Sequence, residues 1–299
     1  MARQDVPDAA ALAPIGLICG NGTLPGAVVE RLRAAGRKTY VVAIRGEAED
    51  GLRQVADVEL GFGQIGRLFK GLGKAGCQEL ILIGGIVKRP DFTSILGDPG
   101  TLWRLPRIIK AMAGGDDSLL GKVIGIFESE GFQVVGLHDV APDLLAGSGA
   151  LGRHTPDANG LRDMTLALEA ARRLGDLDIG QGAVAVAGRV IALEGAEGTD
   201  AMLRRCADLR ANGRVRAKTP GGVLVKTVKP GQDLRVDLPA IGPMTIALAK
   251  SAGLAGIAVQ AQGALIAEEA QTLQAADDAG LFIFGFSADP RDMTSELQP

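Results

Sequence analysis

Aromatic residues make up only 3% of this 299-residue chain, with one tryptophan and one tyrosine, and the net charge is -3. A nucleic-acid platform wants a basic face and rings on which bases stack, so neither number favours one, and a small partner is expected instead. Histidine is scarcer still. His138 and His154 are the only two, which excludes a multi-histidine metal site and leaves carboxylates, and therefore magnesium-type chemistry, for any metal. Cys19, Cys77 and Cys206 are odd in number and far apart, the pattern of buried thiols in a reducing compartment rather than of a disulfide framework. Long apolar runs are missing too: "LILIGGIV" is far short of a membrane span. The opening "MARQDVPDAA" carries acids where a signal peptide needs a basic start. A cytoplasmic protein is expected, one that visits a membrane surface at most.

What is present is glycine, 43 residues of it, in a chain that is 46% hydrophobic and 22% charged. That is an ordinary globular composition, long enough for two cores. Over the first 140 residues strand and helix patterns alternate. "IGLICG" and "TYVVAI" flank a helix with Val28, Val29, Leu32 and Ala35 on one face; "GQIGRLFKGLGKAG" precedes "ELILIGGI"; and Leu119, Leu120, Val123, Ile124 and Phe127 precede "FQVVGL". The alternation predicts an α/β fold whose N-terminal domain, 1–140, is a Rossmann-like parallel sheet. The glycine, proline and aspartate content of 141–160 predicts a linker. Residues 161–299 read as a C-terminal mixed-sheet α/β domain, with helices near 160–174, 199–210, 243–252 and 268–279. Hairpins are expected about Gly188 and Gly263.

The turn "GNGTLPG" raises the question of a phosphate loop, since glycines before a helix start let an anion approach. Gly20 and Gly22 match the first two glycines of G-x-G-x-x-G, but Pro25 occupies the third, and the following strand runs into Arg45 where an acid would read the ribose. The pattern favours a generic strand-turn-helix over dinucleotide binding.

The most informative stretch is 204–229, with eight basic residues, Arg204, Arg205, Arg210, Arg214, Arg216, Lys218, Lys226 and Lys229, against the single acid Asp208. Such a local field suits a phosphate or pyrophosphate, although a solvated helix face explains most of these residues individually. Lys226 differs because it lies inside the apolar strand "GVLVKTV", where an unpaired charge is costly. Eleven residues on, Asp237 in "RVDLPAIGP" is placed at a strand end before Pro239, able to hold a divalent cation or aim a water, or else to cap a turn. In "EGTDAMLRR", Gly198 or Thr199 is expected to cap a helix whose first-turn N–H groups face an anion, with Glu194, Glu197 and Asp200 supplying oxygens nearby. Gln181 sits between two glycines at the head of a strand, as a plain turn or as an amide that reads a base or sugar. "LWRLPRIIKAMAGGDD" reads as a core helix with basic edges or as an amphipathic stretch for a bilayer or acyl chains.

Seven collinear stretches, "IGLICGNGTLP", "GGIVKRPDF", "GDDSLLGKVIGIFESEGF", "LDIGQGAVAV", "EGTDAMLRR", "RVDLPAIGP" and "AGLAGIAV", resemble the LpxI-type UDP-2,3-diacylglucosamine pyrophosphatases of lipid A biosynthesis, from about Ile15 to Phe286. The resemblance implies a magnesium-dependent hydrolase of two domains, with ligand between them, that cleaves UDP-2,3-diacylglucosamine to UMP and 2,3-diacylglucosamine 1-phosphate. Water attacks the α-phosphorus. The family's essential aspartate corresponds to Asp237, the metal ligand or water-aiming group; Lys226, from its own place in the apolar strand, is read as its catalytic companion. Asn21, Gly22, Gln181, Gly198, Thr199, Asp200 and Thr245 are the substrate-binding candidates. A homodimer is expected as well. Two other readings stay open: a non-catalytic UDP-sugar or lipid-binding protein, which needs no Asp237, and an NAD-dependent nucleotide-sugar oxidoreductase.

Overall fold

A computed structural model describes residues 13–86, 100, 101, 103, 106 and 116–288, with side chains in the last stretch from 120 onward. The chain divides into two compact units, Met1–Ala141 with Asp233–Val236, and Pro142–Gln232 with Asp237–Pro299.

In the first unit the alternating pattern becomes β1 (Ile15–Cys19), α1 (Leu24–Ala34), β2 (Thr39–Ile44), α2 (Asp50–Val55), β3 (Val58–Leu60), α3 (Ile65–Ala75), β4 (Glu79–Ile83), α4 (Asp116–Ser129), β5 (Gln133–Val134) and the single turn α5 (Leu137–Val140). The five strands are parallel in the order β3-β2-β1-β4-β5, that of a doubly wound sheet. Every residue of β1 is buried, as a central parallel strand covered on both faces requires. Ile18, Phe69, Leu72, Leu80, Ile124, Phe127 and Val134 form one core layer, and α3 stops at Gly76 in the left-handed region, φ 75°. The short α2 and edge strand β3 carry too few apolar positions to announce themselves by periodicity.

The glycine-rich turn after β1 has a structural explanation. A Cβ on Gly20 would stand 2.3 Å from the Gly85 carbonyl, and one on Gly84 would stand 2.7 Å from the Asn21 carbonyl. Asn21 N donates to Gly85 O at 2.7 Å and Gly85 N returns the bond to Asn21 O at 3.0 Å. The glycines let two loops touch backbone to backbone. Arg45 pairs with Glu59 at 3.3 Å.

The second unit runs through a 3-10 turn (Pro142–Leu144), β6 (Gly149–Ala150), α6 (Ala158–Asp176), β7 (Gly182–Val186), β8 (Arg189–Leu193), α7 (Gly198–Ala211), β9 (Val223–Lys226), β10 (Ala240–Ile241), α8 (Pro243–Ser251), β11 (Gly256–Gln260), β12 (Leu265–Ile266), α9 (Glu269–Ala279) and β13 (Phe282–Phe286). Its six-stranded sheet has the order β6-β13-β11-β9-β7-β8. The three central strands β13, β11 and β9 are parallel, and the flanking β6, β7 and β8 run antiparallel to their neighbours. Two-residue alternation separates the faces. Ala183, Ala185, Val223, Val225, Phe282 and Phe284 pack on Met164, Leu168 and Ala171 of α6. Val184, Val186, Leu224, Ile257 and Ile283 pack on Met202, Leu203 and Cys206 of α7, Ile246 of α8 and Ala276 of α9. Lys226 shares the parity of Leu224, and therefore faces the side that α7 covers.

Composition alone marks 141–160 as a linker, yet its residues from Pro142 onward belong to the second unit, and β6 within it pairs with β13. The hairpin about Gly188 forms, with Ala187 and Gly188 both at positive φ (51° and 74°), as a two-residue turn requires. The expected hairpin about Gly263 does not. β12 pairs in parallel with β10, and Gly263 closes only a local turn onto Gln260 O at 3.2 Å. The stretch 102–112 read as amphipathic lies almost wholly outside the described residues; Trp103 is described and is 73% exposed. No described helix is long and apolar enough to cross a membrane.

Candidate active site

Two buried charges of the second unit meet at the end of β9. Lys226, the last residue of that strand, is 5% exposed, and Glu194, just beyond β8, is 7% exposed. Between them lies Thr199, in the first turn of α7. Lys226 Nζ donates to Thr199 Oγ1 at 2.7 Å and to the Ala240 carbonyl at 3.3 Å. Thr199 donates its own proton to Glu194 Oε1, which also stands 3.8 Å from the Lys226 ammonium. Burial lowers the Lys226 pKa below the ordinary lysine range, while the negative charges of Glu194, Asp200 and Asp237 work in the opposite direction. Three carboxylates thus act on one buried cation.

The glycines around Gln181 are explained by the same cluster. Glu194 N donates to Gly182 O at 2.8 Å. A Cβ on Gly180 would meet the Glu194 carbonyl at 2.3 Å, and one on Gly182 would meet Glu194 Oε2 at 2.7 Å. Only glycine on both sides of Gln181 lets this residue sit so close. Gln181 itself holds β9 in place: its carbonyl accepts from Thr227 N at 3.0 Å, and its Oε1 accepts from Gln232 Nε2 at 3.4 Å.

Of the candidates named from sequence, Lys226, Thr199, Asp200 and Asp237 share one electrostatic neighbourhood. Gly198, at φ 79°, opens the helix that carries two of them. Thr199 does not cap α7. The N-cap is Glu197, without a side-chain cap bond, and the Thr199 hydroxyl is committed to Lys226 and Glu194 instead. Thr245 is buried in the first turn of α8, where its hydroxyl accepts from Gly242 N at 3.3 Å. Asn21 and Gly22 belong to the first unit, where Asn21 Nδ2 donates to the Glu47 carbonyl at 3.3 Å. Glu194 was legible only as one of several nearby oxygens; the signal that singles it out is the pair of glycines it packs against.

Asp237 does not end a strand. β9 stops at Lys226, and Asp237 lies in irregular chain before β10. Its neighbour Arg235 is the reason alternation misleads here, because that side chain is fastened to Asp233 at 2.7 Å and to Glu128 at 2.8 Å, all within the first unit. The bond from Arg235 holds the Asp233 carboxyl below its usual range. Much of the basic cluster is likewise structural. Arg210 donates to the carbonyls of Ala217 and Gly221 and to Thr219 Oγ1; Arg205 donates to Leu193 O at 2.7 Å and pairs with Glu197; Lys229 pairs with Asp178 at 2.8 Å. The cysteines are buried thiols, with Cys19 pushed up to about 12 and Cys206 to about 11, chiefly by burial.

Among the described residues no three of His, Cys, Asp and Glu converge into a metal cage. A magnesium site does not require one. That ion keeps several waters and commonly rests on one or two carboxylates plus substrate phosphate oxygens, so Asp237, whose charge acts on Lys226, fits it, whereas the donor set does not suit zinc.

Comparison with known proteins gives the family. The LpxI N-terminal domain model matches residues 14–144 and the LpxI C-terminal domain model matches residues 147–284. A curated relative from Caulobacter vibrioides, the UDP-2,3-diacylglucosamine pyrophosphatase LpxI, is 44% identical over 278 residues, which cover 93% of this chain and 98% of that protein. With both halves matched in order and a named relative aligned over nearly its whole length, the chain belongs to the LpxI family of pyrophosphatases.

Proposed function

We propose that the protein hydrolyses UDP-2,3-diacylglucosamine to UMP and 2,3-diacylglucosamine 1-phosphate with magnesium, serving lipid A biosynthesis. The substrate comes from the relative's name; the observation in this chain that carries the reading is a buried lysine bonded to Thr199 in the first turn of a helix. Displacement at phosphorus needs little covalent help from the protein and depends on positioning and on neutralising charge. Lys226 supplies a fixed cation for the pyrophosphate, in a place where water does not screen it. The first-turn N–H groups of α7, at Thr199 and Asp200, suit a phosphate oxygen. Asp237 holds the magnesium ion, which supplies Lewis-acid neutralisation of the phosphates when bound. Asp237 also aims the water. The bond that forms joins the water oxygen to the α-phosphorus, the bond that breaks is from that phosphorus to the bridging oxygen, and the sugar phosphate leaves. Gln181 and Thr245, in the same unit as Lys226, are assigned to the nucleotide and sugar.

Hydrolysis in 18O-labelled water with magnesium tests this reading. The label is expected in UMP, and chelation by EDTA is expected to stop the release. Label in the sugar phosphate would move the attack to the other phosphorus, and intact substrate would overturn the assignment. Direct binding of UDP-sugar without turnover would favour the non-catalytic reading.

A further inference from the structure

The Glu194 carboxylate is half satisfied. Oε1 takes the Thr199 proton, whereas Oε2 is buried with no hydrogen-bond partner among the described residues. An unpaired buried carboxylate oxygen costs desolvation that a folded protein tolerates only where something else is gained. Gly182 leaves the space that Oε2 fills, and Gly180 leaves room for the backbone carbonyl of the same residue. An ordinary structural ion pair needs neither the orphaned oxygen nor the glycines.

We propose that Glu194 is a positioning residue that keeps the Lys226 ammonium charged and directed, acting through Thr199. The hydroxyl has a single proton, and giving it to Glu194 leaves only lone pairs for the lysine. Lys226 must therefore be the donor in that contact. The direct pair at 3.8 Å adds attraction between two groups from which water is excluded. Burial opposes the charge, and three acids face Lys226: Glu194 from the loop after β8, Asp200 from α7 and Asp237 from the segment before β10. Asp237 and Asp200 are close to where magnesium and phosphate are placed, and their influence on the lysine is shared with those ligands. Glu194 is the buried member of the three, and it is bonded directly to the cluster. This inference rests on the reading of Lys226 as the pyrophosphate's cation, and the test separates the two.

The probe is the Cε signal of Lys226 in protein carrying 13C-labelled lysine, assigned by its loss in Lys226→Arg and followed against pH. Alongside it, kcat/KM for UMP release from UDP-2,3-diacylglucosamine is measured over the same pH range. In Glu194→Gln the Lys226 midpoint is expected to fall by about one pH unit or more, the size of effect that an adjacent opposite charge exerts. The basic limb of kcat/KM is expected to fall with it. An unchanged midpoint in a folded variant would overturn the proposal. A midpoint that falls while the kinetic limb stays in place would uphold the link from Glu194 to Lys226 and remove Lys226 from the hydrolysis. Thr199→Val, which keeps shape and removes the hydroxyl while leaving the Glu194 charge in place, is expected to shift the midpoint in the same direction by a smaller amount, and serves if Glu194→Gln does not fold. Thr199→Ser is expected to titrate as the unmodified protein does, and a shifted midpoint in that variant would count against the hydroxyl as the link.

Discussion

Lys226 Nζ stands 2.7 Å from the hydroxyl of Thr199, one side chain from the end of a strand and the other from the start of a helix 27 positions away. The contact ties the central sheet of the second unit to the N-terminus of α7, and it draws Glu194 in behind it. Removing the cation strands that acid. Lys226→Met is expected to destabilise the protein by about 3 kcal/mol, because an unpartnered buried carboxylate remains. The double variant Lys226→Met with Glu194→Gln is expected to recover most of that loss. Denaturant unfolding of the two variants measures it.

The same lysine gives stability a pH slope. Burial places its folded-state pKa below the ordinary lysine value, so between those two values the unfolded chain binds more protons than the native one. Stability contributed by this group therefore rises as pH rises through that window. Denaturant unfolding at a series of alkaline pH values is expected to show this component in the native sequence and to lose it in Lys226→Met with Glu194→Gln.

Gly182 is a steric test of the Glu194 seat. A Cβ there would stand 2.7 Å from Glu194 Oε2, so Gly182→Ala must push the carboxylate away. Activity is expected to fall roughly tenfold or more, the cost of about 1.4 kcal/mol in transition-state stabilisation. Gly188→Ala, on the exposed hairpin turn with no atom near its Cβ position, is expected to strain that turn and lower stability while leaving KM unchanged. Steady-state kinetics beside thermal melting separates the two effects.

Asp163 clamps that same hairpin from the second turn of α6. Its buried carboxylate accepts from Ala187 N at 2.9 Å and Gly188 N at 2.7 Å. Asp163→Ala is expected to cost about 2 kcal/mol, the range for hydrogen bonds to a charged group, with kcat unaffected. A melting curve with an activity assay on the folded protein checks both parts.

Strands and helices with strong periodicity were legible, down to the burial of Val28, Val29 and Leu32 and the hairpin at Gly188. α2 and β3 were not, being too short to show a period. The hairpin expected at Gly263 failed because alternation reports burial, and β12 is buried against β10 instead of β11. Asp237 was misplaced for a related reason: "RVD" alternates like a strand, but Arg235 is held by Asp233 and Glu128. In the site, Lys226 stood out as a charge among apolar neighbours. Thr199 looked like a cap, since spacing cannot tell a hydroxyl that bonds its own helix from one that bonds across the fold. Glu194 was hidden because its meaning lies in the two glycines opposite, which sequence reads as a turn.

The most direct test is the rate of UMP release from UDP-2,3-diacylglucosamine by the native protein and by Asp237→Ala, each with magnesium, under matched evidence of folding. The account predicts release by the native protein and a loss of roughly a hundredfold or more in the variant, the scale of losing a group that positions the reacting charge. Equal rates in the two would contradict it and would take Asp237 out of the chemistry.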